Sequence, residues 1–221
     1  MFRRLAPLIA CLAFVPGCSP VDTGDATVRW GVGLTGSCSG ASLERVRVEL
    51  ATSDGFVVGR QDEYCETGLT HFYDVPVGTY RAHLTGFDET GVEAYEGTVT
   101  DIYVDSVAET GPNIGRLAPR PGEIGFAWYF QSGRLCSAYD VGTVRLRLFA
   151  DDTEVVRMDA SCERGEMLVD GLRATSYDVR LDAIDRYGDI SHSYTLAGLK
   201  LRPGHHVDLE AALASCAGQC L

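Results

Sequence analysis

The residues most open to chemistry in this chain are its eight cysteines. Four fall as two pairs at matched spacing, Cys38 with Cys65 and Cys136 with Cys162, 27 and 26 residues apart. Cys216 and Cys220 stand close together near the C-terminal end, and Cys11 and Cys18 stand near the N-terminal one. Thiols at such spacings can bridge or hold a metal, and the redox compartment decides between the two. In an exported chain the economical pairing is Cys38–Cys65, Cys136–Cys162 and a small loop closed by Cys216–Cys220. The rival is a zinc site built from Cys216, Cys220 and the neighbouring His205-His206. The CxxxC spacing is loose for zinc, and an oxidising compartment favours the disulfide. The pair is not CxxC and no βαβ pattern surrounds it, so redox catalysis is not expected.

Oxygen and nitrogen ligands come next. Asp88 and Glu89, with Glu93, and Asp185 with Asp189 cluster at two matching Gly-containing turns. They are the candidate ligands for a structural calcium, although neither turn has the fixed Asp spacing of a calcium loop. The plain reading is that Asp and Gly are what turns are made of. No other cofactor is expected. Of the histidines, His83 is expected to face solvent, because its counterpart in the repeat described below is Arg180. His71, opposite Leu168, is expected to pack. His192 stands opposite Tyr95, and His205-His206 follow a Pro-Gly turn where exposure is ordinary. No GxSxG, HExxH or P-loop pattern occurs. No catalytic residue is therefore assigned, and the chain is expected not to be an enzyme.

These residues are positioned by a duplication. Trp30, Cys38 and Val46 recur as Trp128, Cys136 and Val144 at an offset of 98. Cys65, Tyr80, Leu84, Asp88, Gly91 and Ile102 recur as Cys162, Tyr177, Leu181, Asp185, Gly188 and Leu199 at 97. So many matches with a single lost residue mark two copies of one unit and a one-residue loop deletion. Each copy reads as strands throughout. Tyr80, Ala82 and Leu84 alternate with Arg81, His83 and Thr85; Tyr177, Val179 and Leu181 alternate with Asp178, Arg180 and Asp182. Val46, Val48 and Leu50 point inward in the same way. First strands are expected at Thr27–Leu34 and Ile124–Phe130, third strands at Phe56–Arg60 and Glu154–Met158, and closing strands at Asn113–Leu117 and His206–Leu209. In Ala127-Trp-Tyr-Phe130, Tyr129 faces away from Trp128 and Phe130, as a ligand platform or as packing at the module junction. Seven or so short strands per copy, with turns at regular spacing, make a β-sandwich.

The chain has 221 residues, 45% hydrophobic, enough to bury two cores, and a net charge of -12. That acidity argues against nucleic acid and against electrostatic docking on anionic lipid. Arg3-Arg4 and the apolar run Leu5–Val15 read as a short export leader, too short to span a bilayer. The run ends in Val15-Pro16-Gly17-Cys18, which resembles the lipobox of bacterial lipoproteins. The resemblance implies cleavage before Cys18, its acylation, and an anchor in the membrane. Cys11 is the second choice, and plain secretion the alternative. Ser19-Pro20 lacks the Asp that signals inner-membrane retention in lipoproteins, which points to the outer membrane or cell surface.

Val75-Pro-Val-Gly-Thr-Tyr80, leading into an alternating strand and an Asp-containing Gly turn, resembles the carboxypeptidase-regulatory-like, Cna-B-like and transthyretin-like sandwiches. Leu172-Arg-Ala-Thr-Ser-Tyr177 lacks the Pro and Gly of that pattern. The resemblance implies a scaffolding, adhesion or stalk role and carries no catalytic residues. The expected organisation is a signal peptide (1–17), a lipidated polar tether (18–26), a first Ig-like or prealbumin-like β-sandwich (27–117), a stiff Pro-rich linker (118–122), a second sandwich (123–213) and a Cys-loop tail (214–221). The expected role is an envelope-anchored interaction or scaffold module, with an unknown envelope protein or a glycan as partner. The alternatives are a carbohydrate-binding or adhesion module and an accessory or inhibitor subunit of a secreted hydrolase.

Overall fold

A computed structural model of the chain describes residues 21–33, 36–107 and 110–216, the side chains of 110–112 excepted. Cys11, Cys18 and Cys220 lie outside these residues. The first copy supplies strands β1 (Thr23–Val32), β2 (Leu43–Thr52), β3 (Val57–Tyr64), β4 (Leu69–Pro76), β5 (Gly78–Asp88), β6 (Glu93–Val104) and β7 (Thr110–Pro119). The second supplies β8 (Gly122–Phe130), β9 (Val141–Ala150), β10 (Thr153–Ser161), β11 (Glu166–Leu172), β12 (Ser176–Asp185), β13 (Ile190–Lys200) and β14 (His206–Ser215). The strand orders are β3-β2-β5-β6-β7-β1-β4 and β10-β9-β12-β13-β14-β8-β11, the same order written twice. In each copy one link is thin: among the described residues β6 pairs in register with β7 only at Tyr95 and Glu96, and β13 with β14 only at His192 and Ser193. The sheet folds over at that link into a four-stranded and a three-stranded layer. The layers face each other closely, so that a Cβ on Gly59 of β3 would fall 2.7 Å from the Phe72 ring of β4.

The alternation read from the sequence sets the core. Val46, Val48, Leu50, Ala82 and Leu84 are fully buried, as are Val144, Leu146, Leu148, Leu181 and Ala183. Arg81 and His83 are exposed on the other side of β5. Two devices recur in both copies. The indole N–H of Trp30 donates to the Cys65 carbonyl (2.9 Å), and that of Trp128 to the Cys162 carbonyl (3.1 Å). Each tryptophan thus pins the short 3-10 turn that begins at the second cysteine of a disulfide; the bridges are Cys38–Cys65 and Cys136–Cys162. The hydroxyl of Tyr80 donates to the Pro76 carbonyl, and that of Tyr177 to the Arg173 carbonyl, both at 2.6 Å. This bond needs only a carbonyl four residues back, which is why the second copy dispenses with Pro and Gly. A Cβ at Gly78 would make only ordinary contact with the Tyr80 ring at 3.5 Å, and Thr175 occupies the matching place.

The lost residue lies in the hairpin between the second and third strands. In the first copy Thr52 N–H donates to the Phe56 carbonyl across Ser53, Asp54 and Gly55, with Gly55 at φ +93°. In the second copy only Asp151 and Asp152 turn the chain, both in the left-handed region, as a two-residue type I′ hairpin requires.

Some strands differ from expectation. β1 begins at Thr23, because Thr23 and Gly24 pair with Pro76 and Val75 beyond a bulge at Asp25. Phe56 is in a turn and 70% exposed. β7 and β8 take up the 118–122 segment except Arg120 and Pro121, and β14 runs on to Ser215. Asp182 does face outward, yet it is 1% exposed, covered by Arg147 (2.6 Å) and Arg180 (2.9 Å). His71 is exposed instead of packed; it bonds Thr27 and stacks on Tyr73.

Candidate functional site

The hairpin between β5 and β6 is built by Asp88. Its Oδ1 accepts from the amides of Thr90 (2.9 Å) and Val92 (3.0 Å) and from the Thr90 hydroxyl (2.7 Å), while Gly91 takes φ +82°. Asp185 repeats the arrangement, its Oδ1 accepting from the amides of Tyr187 and Asp189. Here the copies diverge. Oδ2 of Asp88 reaches into the second module, where it accepts from Nη2 of Arg202 (3.0 Å) and Nε2 of His205 (2.6 Å). Because an ionised carboxylate only accepts, Nε2 is the protonated nitrogen of that imidazole. Burial alone would push the Asp88 carboxyl up. The hydrogen bonds from Thr90, His205 and Val92 outweigh it and hold the group well below the usual carboxylate range.

The contact extends around this carboxylate. Arg202 also reaches Glu89 (3.4 Å), and Arg120 pairs with Glu93 and approaches Glu96 (3.6 Å). The Arg120 amide donates to the Ala94 carbonyl, and the Gly204 amide to the Arg120 carbonyl. Gly204 sits at φ +69°, and a Cβ there would fall 2.3 Å from the Glu93 carbonyl oxygen. The Arg202–His205 loop is thus pressed onto the β5–β6 hairpin, and the two modules meet end to end.

This placement revises several readings. His205 is mostly buried, at 20% side-chain exposure, and belongs to the junction. His206 points elsewhere and lies ten strand residues from Cys216, a separation of about 33 Å that keeps these groups from sharing one zinc ion. Cys216 is disulfide-bonded. Glu89 and Asp88 are both engaged by Arg202. His192 is buried against Phe130 and Tyr139, where burial lowers its pKa. Among the described residues no group of three or more His, Cys, Asp or Glu gathers as a metal cluster. Nor is any helix there long and apolar enough to cross a membrane.

The second feature lies on the outer face of the three-stranded layer of the second module. Gly125, Ala127 and Tyr129 point outward along β8. With two small residues in the central strand, a trough of about 480 Å³ opens between β11 and β14. Arg164, Glu166 and Leu168 form one wall; His206, Asp208 and Glu210 form the other. His206 is held at both nitrogens, Nδ1 donating to Glu123 (2.9 Å) and Nε2 to Asp208 (2.8 Å). The bonds to Asp208 and Glu123 raise its pKa and favour the imidazolium. The Asp208 carboxylate folds over the floor, since a Cβ on Gly125 would lie 2.6 Å from its Oδ1. An adjacent hollow of about 420 Å³ is bordered by Tyr129, Arg134, Leu135 and the Cys136–Cys162 bridge. Tyr129 is 54% exposed and sits at the end of β8 away from Gly122, so it does not pack at the junction. In the first module Thr27, Arg29 and Gly31 stand at the places of Gly125, Ala127 and Tyr129. Of the outward residues on β8, the sequence marked only Tyr129. The signal for the rest was two small residues at outward places where the other copy carries Thr and Arg.

No protein-family description matches the chain, and no curated protein does. Solved structures similar to it include the Bacillus anthracis TIE protein, with 11% identity and TM-score 0.40 over 88% of this chain. The chain spans 34% of that protein. A fimbrial assembly protein from Parabacteroides distasonis shares 10% identity, with TM-score 0.39, over 85% of this chain and 90% of its own. A single B repeat unit of the collagen-binding surface protein of Staphylococcus aureus shares 12%, with TM-score 0.30, over 88% of this chain and the whole of its own. This chain is two tandem β-sandwiches of one repeated strand order, each with its own disulfide.

Proposed function

We propose that the protein is an exported, non-enzymatic binding protein, held to the membrane through Cys18, that carries a ligand-binding surface outward on two sandwiches joined end to end. The observation that carries this reading is the junction. A buried carboxylate takes a guanidinium and an imidazole from the next module, and a glycine lies against the hairpin backbone. Such a contact orders two domains relative to each other, which serves presentation of a surface. The two disulfides suit an oxidising compartment outside the cytoplasm. The leader and the Gly17-Cys18 sequence supply the route and the anchor.

Two measurements test the proposal. Metabolic palmitate labelling is expected in the wild type and absent from Cys18→Ala, which is released in soluble form; equal labelling of both refutes the anchor. The mature protein, immobilised and exposed to its own envelope fraction, is expected to retain a protein or polysaccharide component. Retention of neither, or turnover in a hydrolase panel that survives purification, refutes the binding role.

A further inference from the structure

We propose that the trough on the outer face of the β11–β8–β14 layer, together with Tyr129, binds an uncharged saccharide chain; this rests on the binding role above and names its ligand class. The duplication serves as an internal comparison. Residues that hold the fold recur in both copies: the tryptophans, the tyrosine hydroxyl bonds, the disulfides and the hairpin aspartates. The outer face does not recur. At the places of Gly125 and Ala127, which floor the trough, the first module carries Thr27 and Arg29, so only the second module has this small-residue floor.

The lining chemistry fits sugar rings. Tyr129 offers a half-exposed flat apolar face for ring C–H groups, and Leu168, 50% exposed, adds an apolar wall. Glu166, Asp208 and Glu210 supply planar acceptors, and Arg164 supplies a fork of donors; vicinal hydroxyls, each donor and acceptor, match such pairs. Asp208 is held in place by His206, which Glu123 holds from the other side, so part of the polar wall is set before any ligand arrives. A volume of about 480 Å³ is ordinary for a small-ligand site. Three carboxylates against one guanidinium and the His206 imidazolium leave the walls net negative, which disfavours acidic polysaccharides and phosphates.

The test is an array of neutral and acidic oligosaccharides probed with the mature protein, its Tyr129→Ala and Ala127→Arg variants, and a Tyr73→Ala control in the first module. Ala127→Arg places in the trough the residue that the first module carries there. Retention of neutral members is expected for wild type and control, and a loss of at least tenfold for both variants. Trp128 borders the hollow beside Tyr129, so its fluorescence should shift with the same ligands. If Ala127→Arg fails to fold, as judged by its urea midpoint, Tyr129→Ala decides alone. A preference for acidic members, or unchanged retention by a folded Tyr129→Ala, overturns the assignment. Capture of an envelope protein with no oligosaccharide retained overturns it too, while leaving the binding role intact.

Discussion

Asp88→Asn separates the two tasks of one carboxylate. The amide keeps an acceptor at Oδ1 for the Thr90 and Val92 donors, and sets an NH2 group against the donors of Arg202 and His205. The site is 3% exposed, so water cannot replace the lost acceptor. Breaking a buried charge pair by removing one partner costs about 3–5 kcal/mol. Arg202 is 42% exposed and regains hydration, which lowers the expectation to about 2–3 kcal/mol. Asp185→Asn makes the same change in a turn that carries no inter-module bond, and should cost about 0.5–1 kcal/mol. The difference, about 2 kcal/mol or roughly a 30-fold change in the unfolding constant, belongs to the junction. Urea unfolding of the mature protein measures it, and small-angle scattering should show a broader spread of lengths for Asp88→Asn alone. The sign with pH follows from the lowered carboxyl. Its stabilisation is complete above the unfolded value of about 4 and fades as pH falls below it. The gap between wild type and Asp88→Asn should therefore narrow steadily as pH falls from about 4 and close only below the depressed folded value. Equal losses at the two positions, or a gap that stays constant as the solution is acidified, would refute the reasoning.

Three further outcomes follow from other contacts. His206 should remain protonated above the usual histidine range, its stabilising effect present at low pH and lost as pH rises through its raised pKa; an NMR titration checks this, and Asp208→Asn should return it toward normal. Trp30→Phe removes the indole donor from the Cys65 carbonyl, which keeps the Gly68 N–H, and should cost about 0.5–1.5 kcal/mol, with Trp128→Phe giving a similar loss in its own module by urea denaturation. Gly204→Ala puts a Cβ onto the Glu93 carbonyl at φ +69°, so it should loosen the junction as Asp88→Asn does, with scattering as the readout.

Much of the fold was legible because a strand's side chains alternate. The faces of β2, β5, β9 and β12 follow from that period alone, and the duplication let each copy check the other. The period reports which face a residue takes, not what covers it. Asp182 was placed outward correctly, and its burial comes from long arginine side chains on its own and a neighbouring strand. His205 was out of reach for a different reason. Its partner lies 117 residues away in the other module, and no local pattern records a contact between domains. Thr23 and Gly24 looked like tether because their composition is that of a linker; they are strand because β4 offers them pairing partners. The trough was hard to see because its signature is missing side chains.

The parallel pairing of β1 with β7, and of β8 with β14, carries a mechanical consequence. When the first and last strands of a module run parallel and adjacent, the chain enters at one end and leaves at the other. Tension applied between the two chain ends of a module then pulls these neighbours in opposite directions along their length. Their hydrogen bonds, running from Ala26 to Val32 and from Glu123 to Phe130, are loaded together in shear instead of opening one by one. The disulfides set a second limit: even after shear failure, the loops closed by cysteines 27 and 26 residues apart cannot extend. A pair of sandwiches built this way yields late under force and lengthens by less than its residue count would allow.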